Sequence, residues 1–153
     1  MKILLLLMFF ALRLYSGEAV QTIQFLIIPA EDIEVETQDI DFNVSPTRGK
    51  NGLSSKIIAP LRIAINEVNK PKKLTVCLSK KLPKATKLMI QPLKGPGTLS
   101  GIVDISSELQ TIFSNINMCC KGDILLEYTY EVSLKAGVIP KTENIVIFNL
   151  VDH

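Results

Sequence analysis

Three cysteines, one histidine and two blocks of like charge are the residues with chemistry to offer. Cys77 stands alone, while Cys119 and Cys120 are adjacent. In an oxidising compartment such thiols pair. The sequence therefore predicts a disulfide from Cys77 to one of Cys119 and Cys120, with one thiol left over. The other reading is that all three are buried thiols acting as small hydrophobes. There is no CxxC spacing, and the only histidine is the terminal His153, so no zinc site is expected. That lone histidine also leaves a Ser or Cys nucleophile without its usual base. No G-x-S-x-G, H-E-x-x-H or phosphate-cradling glycine loop occurs. The expectation is a non-enzymatic protein with no catalytic residues, no metal and no cofactor.

Charge is segregated along the chain. Glu31, Asp32, Glu34, Glu36, Asp39 and Asp41 follow one another with no base among them. Lys70, Lys72, Lys73, Lys80, Lys81, Lys84, Lys87 and Lys94 follow with no acid between them. Blocks of opposite sign can steer association and fix its register, so they could join copies head to tail. The plainer reading is two solvated faces, with lysines guarding strand edges. Calcium would need a wrapping loop of the D-x-D-x-D-G kind, which is missing. The face formed by Lys70, Lys72, Lys73, Lys80, Lys81, Lys84 and Lys87 could instead hold an anionic glycan or lipid. No aromatic residue lies between Phe42 and Phe113, which argues against stacking on sugars or bases. The net charge of +2 is too small to predict a nucleic-acid binder.

These residues must be carried by strands. Strict alternation runs through Ile124, Leu126, Tyr128, Tyr130, Val132 and Leu134, with Glu127, Thr129 and Glu131 on the opposite side. Leu61, Ile63 and Ile65 repeat it, as do Leu74, Val76 and Leu78; the latter phase puts Cys77 on the less apolar side. Further strands are expected at 22–28, 33–37, 40–44, 87–92, 101–105, 109–116 and 144–151. The last is apolar on both faces and should lie inside a sheet. A bulge at Gln38-Asp39 would absorb a change of phase. Turns are expected at Asn51-Gly52, Asn69-Lys70-Pro71, Lys94-Gly95-Pro96-Gly97, Lys121-Gly122-Asp123 and Ala136-Gly137. Residues 107–117 fit helix and strand equally, because Leu109, Ile112, Phe113 and Ile116 also fall at helical spacing.

The N-terminus reads as an export signal. Lys2 precedes the apolar run Ile3–Leu12, and Gly17 and Ala19 fit a small-residue cleavage site. The run is short of the roughly 20 apolar residues of a spanning helix. Residues 1–19 are thus expected to be a signal peptide and residues 20–153 one secreted domain, without a transmembrane span.

The C-terminal half resembles a group of uncharacterised secreted bacterial β-sandwich proteins. The likeness rests on Leu74-Thr75-Val76-Cys77-Leu78, on Leu82-Pro83 with its small-residue turn, and on Lys87-Leu88-Met89-Ile90. It continues through Gly101-Ile102-Val103-Asp104-Ile105-Ser106, Gln110–Ile116, Leu126–Tyr130 and Asn144–Leu150. The resemblance favours strand at 109–116 and implies an Ig-like sandwich. A looser likeness to fimbrial subunits comes from an alternating N-terminal strand, 21–28, before such a body; there that strand can complement a neighbour's sheet. The expectation is all-β: an antiparallel two-sheet Ig-like sandwich of about 7–9 strands. Its expected role is a surface or envelope structural or adhesion protein, which associates with itself or with other surface proteins. The rival is a soluble binder of anionic glycan or lipid through the lysine face.

Overall fold

Alternating side chains need two faces, and the chain supplies them as strands almost throughout. The structure, a computed structural model, describes residues 19–25, 33–35, 39–46, 52–65, 68, 70–118, 120–136 and 143–152. The expected signal peptide and bulge lie outside these residues, Ala19 and Asp39 excepted. The strands are β1 (Ala19–Phe25), β2 (Ile33–Val35), β3 (Asp39–Pro46), β4 (Gly52–Ile65), β5 (Lys72–Leu78), β6 (Thr86–Lys94), β7 (Thr98–Leu99), β8 (Val103–Asp104), β9 (Gln110–Ile116), β10 (Cys120–Ser133) and β11 (Glu143–Asp152). A single 3₁₀ turn, Leu134–Ala136, follows β10.

The strands form two layers. One sheet runs β7-β9-β5-β11-β1-β3, and the other is built on β4-β10-β6 with the short β8 and β2 at its edges. β3 links them: residues 39–44 pair with β1, and Ser45 and Pro46 pair with Ser54 and Leu53 of β4. Pairing is antiparallel except between β1 and β11. The longest ladder joins β4 to β10, from Gly52↔Ser133 to Ile65↔Cys120.

One core fills the space between the layers. Leu74, Val76, Phe113, Val146 and Phe148 come from the first sheet, and Leu61, Ile63, Leu88, Ile90, Leu126, Tyr128 and Tyr130 from the second. All are at most 2% exposed. Burying each such side chain contributes about 1.5–3 kcal/mol before entropy is counted. This is an all-β sandwich.

Several expectations change in detail. Residues 110–116 are strand, because β9 pairs with β5 on one side and β7 on the other. Residues 121–123 are not a turn but part of β10, held by Ile63, Ala64 and Arg62 opposite. Residues 101–105 reduce to the two-residue β8. β4 starts at Gly52, well before Leu61, and runs through Pro60. Among the described residues no strand pairs with 55–62 on the side away from β10. A proline is tolerated at such an edge. Pro92 sits where the β6–β10 ladder steps from Leu126↔Pro92 to Leu125↔Lys94, leaving Leu93 as the extra residue of a bulge.

Candidate functional site

The lysines do not form one face. Lys72 and Lys73 begin β5, with Lys70 just before it; Lys80, Lys81 and Lys84 follow its end. Seven residues of strand put these groups about 20 Å apart. They also differ in company. Lys72 Nζ lies 2.7 Å from Asp152 and holds that carboxyl below its ordinary range by hydrogen bond and charge. Lys87 Nζ is 3.6 Å from Asp104. Among the described residues no carboxylate lies within ion-pair distance of Lys80, Lys81 or Lys84, and all three are exposed.

The expected disulfide is not formed between Cys77 and Cys120. Cys77 projects from β5 on the side away from Val76 and Leu78, paired with Ile147. Cys120 begins β10 in the other sheet, opposite Ile65. Cys120 packs against the core from its own sheet, so the sheet of β5 and the core stand between the two thiols. Cys119 lies outside the described residues. Burial raises the pKa of Cys77.

The loop carrying Lys80, Lys81 and Lys84 is pinned at both ends. At its start Asn144, 3% exposed, acts as the anchor. Its Oδ1 accepts from Ser79 Oγ at 3.2 Å, Lys80 N at 3.3 Å and Ile145 N at 3.0 Å. Its Nδ2 donates to the Lys80 carbonyl at 2.9 Å. Ser79 N also donates to the Ile145 carbonyl at 2.9 Å. At the far end Thr86 donates to the Pro83 carbonyl through Oγ1 at 2.7 Å and through its amide at 3.3 Å. Ala85 adopts φ 61°, and its carbonyl accepts from Ser133 N at 2.9 Å. Leu82 packs against the core between these ends. The lysines are thus displayed on a fixed frame, which lowers the entropy lost when a partner binds them.

Sequence reasoning missed Asn144. The signal was available: Asn144 shares its phase with Val146, Phe148 and Leu150, all buried. A polar residue on a core face must find partners, and here they are the loop.

The same end of the sandwich holds a cleft of about 500 Å³, lined by Gly52, Leu53, Ser54, Ala85, Thr86, Lys87, Glu131, Val132 and Ser133. Next to Thr86, Tyr130 is fully buried with its ring 5.7 Å from that of Phe42. Its hydroxyl makes no well-formed hydrogen bond. Burial raises its pKa, and Thr86 offsets part of that rise; the Thr86 proton is itself directed at Pro83. A second cleft, about 350 Å³, opens at the other end between the 94–97 turn and the β9–β10 turn, with Cys120 in its wall.

Of the acids, Glu34 belongs to β2, in register with Ala64, while Asp39 and Asp41 belong to β3, opposite Gln24 and Thr22. The arrangement can bind through charge and through strand edges. No family model matches this chain, and no curated protein matches it significantly.

Proposed function

We propose that this chain is a non-enzymatic, secreted structural or adhesion protein of a cell surface or envelope, with an Ig-like body that associates with copies of itself. The observation that carries this reading is the place of β1. This N-terminal strand lies inside a sheet, with Thr22–Phe25 beside Glu143–Val146 on one side and Ala19–Gln24 beside Val44–Asp39 on the other. β3 and β11 do not pair with each other; β1 alone joins them. A free N-terminal strand would have supported the reading most directly, and β1 is instead paired along both edges. Association would therefore exchange it, with one copy's β1 filling its neighbour's sheet in place of the neighbour's own. Exchange of an identical element keeps every hydrogen bond and so costs little.

Light scattering after size exclusion of the secreted protein tests this. The expected result is a mass of several chains at micromolar concentration, reduced by an excess of the Ala19–Phe25 peptide. A single-chain mass at every concentration would sink the proposal.

A further inference from the structure

We propose that the cleft between the 94–97 turn and the β9–β10 turn binds a single-chain amphipathic carboxylate, of the medium-chain fatty-acid class. The cleft continues the core. On the inward face of β10, Ile124, Leu126, Tyr128, Tyr130 and Val132 are all at most 4% exposed. The next position in that phase is Gly122, which is exposed. A Cβ there would meet nothing within 4 Å, so the row of core side chains stops with space to spare. Gly122 stands opposite Ile63 of β4, and both line the cleft together with Ile116 and Ile124. Those three isoleucines belong to the core cluster. An apolar group seated beside them extends the interlayer core toward the surface. The facing wall is fixed. A side chain at Gly95 would collide with the Phe113 ring, and Gly97, at φ +73°, lies against the Ser114 carbonyl. A preformed wall spares a ligand the cost of ordering it. Met118, 71% exposed at the rim, supplies a flexible apolar side chain to cover an occupant.

Size and charge narrow the class. The cleft holds about 350 Å³, near the small end of ligand sites. An apolar cavity of about 150 Å³ takes a six-carbon ring, so this one suits a tail of roughly 8–12 carbons. No aromatic ring is among the described lining residues, which favours a flexible aliphatic chain over a flat ring that would stack. Lys94 and Lys121 also line the cleft, and both are exposed. Among the described residues no carboxylate lies within ion-pair distance of either. Asp123, the acid of the lining, is held by Arg62 Nε at 3.2 Å. A tail that ends in a carboxylate therefore meets apolar walls and a positive rim together, which a neutral tail does not.

The test is titration of the natural chain with decanoate, followed by calorimetry and by backbone amide shifts, with decanol as the uncharged control. The expected result is saturable one-to-one binding of decanoate, with shifts concentrated at Gly95, Asn117 and Gly122. Decanol should bind more weakly. The K94Q/K121Q variant should weaken decanoate binding by about 3- to 25-fold, up to fivefold per lysine, and leave decanol unchanged. Gly122→Leu, which fills the cleft, should abolish both. Gly122 has φ +157°, which side chains rarely adopt, so circular dichroism checks the fold of that variant. If it does not fold, the lysine variant and the map of amide shifts decide. No saturable binding, shifts located elsewhere, or decanol bound as tightly as decanoate would each overturn the assignment. Binding to phosphatidylglycerol vesicles without binding of free decanoate would make the two turns a membrane contact and overturn it too. The site lies within one copy, so a chain that stays monomeric removes the self-association reading and leaves this one standing.

Discussion

Asn144 directs four side-chain hydrogen bonds to the turn at Ser79–Lys80 and to its own strand. Replacing it by alanine removes the side-chain partner of the Lys80 amide and carbonyl in a part-buried turn. A fully buried group left unsatisfied costs about 1–3 kcal/mol. Asn144→Ala should therefore lower the unfolding free energy, measured by urea titration, by an amount toward the low end of that range, and speed hydrogen exchange at Lys80 and Ile145. Tyr130 is the opposite case. Its hydroxyl is buried without a well-formed hydrogen bond, so Tyr130→Phe should leave stability unchanged or raise it by up to about 1 kcal/mol. Tyr130→Ala, which empties a core position beside Phe42, should cost about 3–5 kcal/mol. Both positions were legible as core from their alternation. Their hydrogen-bond standing was not, because Asn144 meets Ser79 across 65 residues and no local pattern encodes that meeting.

Elements show the same division. β10 and β5 follow from period two, with one buried face over 124–132 and 74–78, whereas β11 follows from a run apolar on both faces. β4 was only partly legible: Ser54, Ser55, Lys56 and Pro60 break the apolar rhythm, and its extension depends on the β10 ladder. β9 was ambiguous because its apolar spacing suits a helix; pairing with β5 decides it. The turn before β7 depends on Gly97, whose φ is +73°. A side chain there would collide with the Ser114 carbonyl. Gly97→Ala should thus detach β7 from β9 and cost more than the ~1 kcal/mol of an ordinary glycine-to-alanine misfit. Thermal unfolding measures the cost, and exchange of the Ser114 amide reports the detachment. The Cys77–Cys120 link is missing for a topological reason: the sequence supplies an accessible thiol phase for Cys77 but not the sheet to which Cys77 and Cys120 each belong. Cys77 should remain a thiol whose maleimide labelling is slower at pH 8 than that of a cysteine peptide, since burial keeps it protonated.

At the scale of the molecule, the two layers enclose a core that includes two tyrosines of one strand, and this links stability to pH. Tyr128 is 1% exposed, and burial raises its pKa far above the ordinary value. Tyr130 and Cys77 shift the same way for the same cause. In each, the folded state holds a proton that the unfolded state releases first. Above pH ~10 the unfolded chain therefore binds fewer protons, and stability falls as pH rises. It is fully present below the unfolded values and declines toward the folded ones. For Tyr128 alone the slope grows to about 1.4 kcal/mol per pH unit once the unfolded tyrosine is mostly ionised, a loss of about 2 kcal/mol between pH 10 and 12. Urea unfolding at pH 8, 10, 11 and 12 should show that slope, and Tyr128→Phe should flatten it whatever its effect at pH 8. A slope unchanged by the substitution would place the ionising group elsewhere.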